Sequence, residues 1–397
     1  MANYSIKILD SIDKLVGEAE SWNSLWSRTG DISPLARAES IALWMRRFAP
    51  DAAFRAIVIE AEGTAVAGIP LHLQRRAKIL KSGGLQYGGH LLCDAARQDT
   101  EMIFFYLIKG LKQLPIDFLW CDGIRYEDFP WKNFSEYWTN LGYSSRTIQQ
   151  YHTAVIPLHG DPETVAATWG KKELADIKRR FRKRYTPENH EFRIVSNADE
   201  IAALLPDCFA IEHAGWKGQA NHAGSIIKQG SVEYYLTQAR ILAEQHMTRL
   251  YALFVDGRMI AFQYGYLIGK TVFSEKISYD PTMREFAPGL VLRWLIYQSL
   301  LESQSVDDVD CMGIAGAHQK IWNPELHAVG EVVFPLSFSG IIALSLHQLY
   351  GRMKVQPSSD VPPKINKIVF SEPVNGYVFF LSSLDKVAPS LHNLYKK

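Results

Sequence analysis

From Ser278 to Leu300 the chain reads SYDPTMREFAPGLVLRWLIYQSL: a strand pattern, a break, and a long apolar helix pattern, the break being spaced Arg284-x-x-Ala287-x-Gly289. Small residues at such a break let the backbone come close to a ligand. The first turn of the helix then offers N–H groups that have no partner within the helix, a site for phosphate and, in this geometry, for a diphosphate. The same residues also read as a turn followed by Pro288 in the first helical turn, where proline is well tolerated. Spacing alone leaves both readings open.

Two further groups have the types for binding. IEHAGWKG sets Glu212 and Trp216 four apart on a helix, hence on one face, with Lys217 and Gly218 at its end. A tryptophan wall with one acid and one base suits a sugar or an aminoacyl group; a core tryptophan with a helix-ending lysine and glycine is the alternative. KKELADIKRRFRKRY, from Lys171 to Tyr185, gathers eight basic residues in a chain whose formal net charge is +1. That is either a solvated helix face or a contact for phosphates, tRNA or an anionic membrane surface. With Phe181 and Tyr185 as its aromatics, it argues against sequence-reading of nucleic acid.

The elements that must hold these residues recur. FRAIVIEAEGTAVAGIPLHL is a β-hairpin about Glu62-Gly63, and TRLYALFVDGRMIAFQYGYLIGKTVFSEKISYD repeats it about Asp256-Gly257, with a further strand after Gly269-Lys270. Helical sequence precedes each hairpin. After each come a helix and a short strand that align without a gap, so that Asp117, Cys121, Gly123 and Ile124 fall on Asp307, Cys311, Gly313 and Ile314. The order of elements predicts two copies of one α/β (α+β) unit, divided near Pro157 to Val165. The expected domains are 1–156, 157–340, and a tail over 341–397 with a helix and a strand-like GYVFFLSSL.

Composition bounds the rest. At 397 residues, 47% apolar and 21% charged, the chain has room for two cores and no case for general disorder. Near-neutral charge excludes a protein whose main work is coating nucleic acid. The start lacks the basic-then-apolar pattern of an export signal, and no apolar run nears the roughly 18 residues of a membrane span. Four dispersed cysteines with no C-x-x-C pair point to neither zinc nor a disulfide framework. A reducing cytoplasm is the expectation.

The break resembles the Q/R-x-x-G-x-G/A signature with which the GNAT (general N-acetyltransferase) superfamily holds the pyrophosphate of acetyl-CoA, with Ala287 in place of the first glycine. GIPLHL and GGLQYGGHLLCD in the first half, with EHAGWKG, FAPGLVL and HQKIW in the second, resemble the two-copy acetyltransferase family associated with cellulose biosynthesis, over roughly residues 20 to 340. The resemblance implies two tandem GNAT-like units, each a mixed, mostly antiparallel sheet flanked by helices. It also implies a cofactor loop formed by Arg284, Ala287, Pro288, Gly289 and Leu290. Lys276, Ile277 and Ser278 would present backbone N–H groups to the thioester carbonyl. In the first copy Arg97, Gln98 and Asp99 align with Ala287, Pro288 and Gly289, which implies lost CoA binding there.

By the same resemblance Glu275 is the candidate base, directly or through water, and His318 the candidate acid. Glu212, Trp216 and Lys217 lie on the acceptor side, and Lys320 loosely matches the K-x-x-W-like ending at Trp322. Each has an ordinary alternative: a surface glutamate paired with a cation, a solvated histidine, a core tryptophan. The basic stretch would serve CoA phosphates, a nucleotide-linked acceptor, or tRNA. The functional expectation is an acyl-CoA-dependent N-acyltransferase, acetyl by preference, acting without metal on an amine of a small molecule or of a sugar or polysaccharide precursor. Two alternatives stand. One is an aminoacyl-tRNA-dependent Fem-type peptidyltransferase, a family with an inserted helical hairpin for which this chain has no room. The other is a non-catalytic scaffold of the same fold in an exopolysaccharide system.

Overall fold

The computed structural model describes residues 3–30, 32–76, 80–84, 90–186, 188–219 and 224–345. Most of the 83–90 stretch and the tail beyond 345, including its strand-like segment, lie outside the described residues. The chain forms two compact units that do not follow a single cut: unit 1 is 1–30, 44–150 and 329–397, and unit 2 is 31–43 and 151–328.

In chain order the elements are β1 (Tyr4–Leu9), α1 (Ile12–Gly17), α2 (Ala19–Arg28), α3 (Ala38–Phe48), β2 (Ala53–Ala61), β3 (Thr64–Arg76), β4 (Leu80–Gly84), β5 (Leu92–Cys93), α4 (Thr100–Leu111), β6 (Phe118–Ile124) and α5 (Trp131–Asn140). There follow β7 (Arg146–Pro157), α6 (Pro162–Ala167), α7 (Lys171–Arg184), β8 (His190–Val195), α8 (Ala198–Ala214), α9 (Val232–Glu244), β9 (Thr248–Val255), β10 (Arg258–Ile268), β11 (Thr271–Tyr279), α10 (Pro288–Ser303), β12 (Asp308–Ile314) and β13 (Glu325–Pro335). Both expected hairpins form. Their turns place Glu62 and Gly63 at φ 51 and 78, and Asp256 and Gly257 at φ 50 and 75. Paired left-handed residues of this kind match the twist of the strands they join.

The strands of the two units repeat one pattern. In unit 1 β1, β2, β3 and β4 pair antiparallel in sequence, β4 pairs parallel with β6, and β6 pairs antiparallel with β13. In unit 2 β8, β9, β10 and β11 pair antiparallel, β11 pairs parallel with β12, and β12 pairs antiparallel with β7. Each unit's last strand therefore comes from the segment that follows the other copy; the return of β13 to unit 1, and the place of 31–43 in unit 2, are why no single cut divides the chain. The leading strands β1 and β8, and the closing strands, escaped the sequence reading. YSIKIL and HEFRIV do alternate apolar and polar residues, so a period-2 signal was present in these short runs and was not read.

Each unit has its own core. In unit 1, α4 and α5 cover the sheet with Phe104, Phe134 and Trp138, which pack with Phe334. In unit 2, Trp322 meets Trp169 and Tyr297 edge to face on the α10 side, with ring centroids 5.2 and 5.0 Å apart, and Trp169 and Tyr297 are tilted at 6.3 Å. Trp322 is fully buried, so it is a core residue. The helices α8 and α9 cover the sheet's other face.

Candidate active site

The site of unit 2 begins where two strands part. The parallel ladder of β11 and β12 lasts three residues, Thr271 to Phe273 against Asp308 to Asp310. Past that point β11 continues to Tyr279 along β10. Its other edge, which carries Lys276, Ile277 and Ser278, has no ladder partner on β12. Along β10 the register slips between Tyr264, opposite Lys276, and Gly265, opposite Ser274, so that Glu275 is the extra residue of a bulge. A bulge re-aims the side chain it leaves over. Gly265 is required there, because a Cβ would stand 1.9 Å from the Phe273 carbonyl oxygen.

At the end of β11 the chain makes a 3-10 turn over Pro281–Phe286 and enters α10. Asp280 fixes the turn, accepting hydrogen bonds from the Thr282 amide (2.9 Å) and hydroxyl (2.7 Å). Ala287 is left-handed, at φ 50 and ψ 51. That conformation costs a non-glycine residue about 1–2 kcal/mol, which accounts for glycine at this place in the resembled signature. The Leu290 and Val291 amides both donate to the Ala287 carbonyl (3.0 Å each). Gly289 is left as the open N–H of the first turn. A Cβ on it would stand 3.2 Å from the Tyr279 ring. Exposed Arg284 lies on the same turn. A left-handed turn, a small residue at the helix start and a nearby guanidinium fit the diphosphate of CoA.

On the α8/α9 side a polar cluster surrounds Glu275. The Tyr266 and Tyr235 hydroxyls bond its carboxylate. Gln238 ties in two further groups, with its Oε1 2.8 Å from the Tyr266 hydroxyl and its amide donating to the Tyr234 hydroxyl (2.9 Å). Lys276 holds its Nζ 4.9 Å from the centre of the Tyr235 ring. Burial raises the proton affinity of Glu275 above the ordinary carboxylate value, and the Lys276 charge only partly opposes it. Desolvation also holds Tyr234, Tyr264 and Tyr266 well above the ordinary phenol value, so they act as donors rather than bases. A carboxylate with raised affinity beside an open strand edge is equipped to take a proton.

One expectation is revised, the shared helix face of Glu212 and Trp216, and the structure places the other candidates. The helix holding Glu212 ends at Ala214, so Trp216 is not on its face; it sits in a separate 3-10 turn, Trp216–Gly218, and is 55% exposed. Trp216 is therefore a surface platform and not a core residue. Glu212 is fully buried and already engaged, 2.8 Å from the Lys217 Nζ and accepting the Ile226 amide at 2.9 Å. The carboxylate thus ties Lys217 and the Ile226 amide together, and Lys217 keeps 22% of its side-chain surface exposed. Partial desolvation, helped by the charge of Arg293, lowers His318 to about 4, so at neutral pH it is uncharged and holds no acid proton to give. Lys320 is exposed in the turn Lys320–Trp322, with its position the only feature linking it to the site.

Sequence reasoning missed Tyr266, Tyr235, Gln238 and Arg293. Tyr264 and Tyr266, two apart on a strand, gave a readable signal of one polar face. Arg293 is hidden in the apolar run GLVLRWLIY. It is 4% exposed, and its Nη1 has no hydrogen-bond partner. Among the described residues no group of three or more His, Cys, Asp or Glu could hold a metal ion, and no helix is long and apolar enough to cross a membrane.

Residues 171–320 match the family model described as the acetyltransferase (GNAT) domain. The second unit is a GNAT acyltransferase domain. The match covers the basic helix, the end of the β11/β12 ladder and the loop of α10. No curated protein matches the sequence. Among solved structures, FemX is similar over 86% of this chain and 99% of its own, at TM-score 0.59 and 9% identity. The C-terminal domain (DUF2156) of a protein assigned as a lysylphosphatidylglycerol synthetase from Agrobacterium fabrum is similar over 84% and 97%, at TM-score 0.51 and 12% identity. A conserved protein of unknown function from Bacteroides thetaiotaomicron is similar over 83% and 100%, at TM-score 0.51 and 14% identity. At such identities the likeness is one of fold.

Proposed function

We propose that the second unit moves an acyl group, acetyl by preference, from CoA to an amine. The observation that carries this is the conjunction of the early end of the β11/β12 ladder with the left-handed loop that follows β11 and with Glu275 at the bulge of that strand. In this reading Arg284 and the Gly289 N–H hold the diphosphate. The free edge of Lys276 to Ser278 turns N–H groups to the thioester carbonyl, where they stabilise the oxyanion. The amine nitrogen forms a bond to the carbonyl carbon, the carbon–sulfur bond breaks, and the amine's surplus proton passes to Glu275, directly or through water. From there it reaches the departing thiolate without His318.

The exposed Trp216 suits the flat face of a sugar ring, which favours an amine of a sugar or polysaccharide precursor as acceptor. Unit 1 is the scaffold. Asp99, which the ungapped alignment sets against Gly289, caps the start of α4 and binds Arg97 (2.8 Å) and the Tyr4 hydroxyl, so that helix start already carries a carboxylate in place of a small residue. A second reading takes its donor from aminoacyl-tRNA, as the likeness to FemX and the basic helix would allow. Calorimetric titration with acetyl-CoA and CoA decides. Binding near one per chain that is lost in Gly289→Trp supports the CoA reading, and absence of binding to folded protein removes it.

A further inference from the structure

The basic helix α7 has no part in the reaction above, yet it is fastened to the phosphate loop. Arg180 and Arg184, one turn apart, both reach the residues between Arg284 and Ala287. Arg180 donates to the Glu285 carbonyl through Nη1 and to Asp176 through Nε (2.7 Å). The Arg184 guanidinium lies 5.5 Å from the centre of the Phe286 ring and 3.7 Å from Asp256. Both side chains keep 34% of their surface exposed. Phe181 and Lys178 anchor the helix on Trp294 of α10, at 5.1 and 6.0 Å. Asp176, Asp256 and Glu285 offset part of this charge, while Arg284, exposed on the loop itself, adds to it.

The loop has limited means for phosphate. One open N–H, a helix start and Arg284 suit a single diphosphate. A further phosphate monoester brings roughly 1.5 to 2 negative charges and needs cations with a fixed, forked geometry, which is what arginines provide. We propose that α7 is the arm that selects the donor: Arg180 and Arg184 recognise the 3′-phosphate of the adenosine 3′-phosphate 5′-diphosphate group. The site then takes acyl groups carried on CoA in preference to those carried on dephospho-CoA or on bare phosphopantetheine. The inference rests on the proposed function and adds donor choice to it. A nucleic-acid donor is disfavoured because the aromatics of the stretch are not free to stack on bases. Tyr185 is 3% exposed, and Phe181 is packed against Tyr185 and Trp294.

The test is calorimetric titration of the whole protein with CoA and with dephospho-CoA, repeated for Arg184→Met and Arg184→Lys, each checked for folding by its thermal transition. The parent should bind CoA about tenfold or more tighter than dephospho-CoA, the size of one charge-assisted contact. Arg184→Met should remove the difference by weakening CoA alone, Arg184→Lys should restore part of it, and added salt should shrink it. Equal affinity of the parent for both ligands overturns the inference and leaves the proposed function standing. So does an Arg184→Met that weakens both ligands alike, since the helix would then only brace the loop. If folded parent protein binds neither ligand but binds charged tRNA, and loses it on charge reversal of Arg179 and Arg182, the inference and the proposed function both fall.

Discussion

Glu275 is the residue that the bulge in β11 leaves without a partner on β10, and the Tyr266 hydroxyl, from β10, is bonded to its carboxylate. One irregularity of pairing thus aims the acid at the cluster and supplies a group that favours its charged form, while burial favours the neutral form.

Glu275→Gln should lower kcat by about 10²- to 10⁴-fold, the usual share of a positioned base, with CoA affinity unchanged by calorimetry. The acid's affinity for its proton is raised, so kcat/KM of the parent should climb with pH through a value above the ordinary carboxylate range. Tyr266→Phe removes a bond that lowers that value and should move the limb to higher pH. The same shift has a sign for stability. A raised folded value means that folding is favoured while the group is protonated and that this contribution is lost as pH rises through the folded value. Glu275→Gln should therefore gain thermal stability over the parent at pH 8 relative to pH 4. An unchanged pH profile in Tyr266→Phe would remove Tyr266 from this role.

Ala287 and Gly289 should respond in opposite directions. Ala287→Gly relieves a left-handed alanine and should raise stability by up to about 1 kcal/mol, after the entropy that glycine adds to the unfolded chain is deducted. Gly289→Ala pushes a methyl toward Tyr279 and beside the open N–H, so it should weaken CoA binding with little effect on folding. Urea titration and calorimetry read the two effects separately. Loss of stability in Ala287→Gly would mean that the left-handed turn is not strained.

What the sequence made legible was local. The turn pairs Glu62-Gly63 and Asp256-Gly257, and Pro288 opening α10, are set by backbone preferences of the residues themselves, and the structure has them where the pattern placed them. The loop at Arg284 to Gly289 was readable for the same reason. Glu212 and Trp216 were misjudged because helical spacing implies a shared face only while the helix lasts, and this one stops at Ala214. Tyr235, Tyr266 and Glu275 come together from a helix and two strands through a register slip, and no short window of sequence records a slip. The exchange of β7 and β13 between the units was hidden likewise, since strand partners far apart in the chain leave no local trace.

The Arg293 charge acts on His318, and that effect can be read directly. Desolvation is the larger cause of the low His318 value and Arg293 the second, so Arg293→Met should raise it by part of the distance back to 6.5. Proton NMR titration of the His318 ring measures this. Stability at neutral pH should hold or improve, because a buried guanidinium with a partnerless Nη1 is replaced by an apolar side chain of similar length. An unmoved histidine titration would mean that the two groups do not interact.

Glu212→Ala should cost more than any of these changes. The pair Glu212–Lys217 has a fully buried carboxylate, and desolvation already lowers Lys217 below the ordinary lysine value while Glu212 holds it up. Removing the acid leaves a cation without its counter-charge and the Ile226 amide without its acceptor, a loss of about 3–5 kcal/mol by analogy with other broken buried pairs. The double replacement Glu212→Gln with Lys217→Met keeps an acceptor for Ile226 and removes both charges, so it should recover most of that loss in urea titration. A single Glu212→Ala that unfolds at the parent's midpoint would show that this pair and its bond to the Ile226 amide contribute nothing to stability.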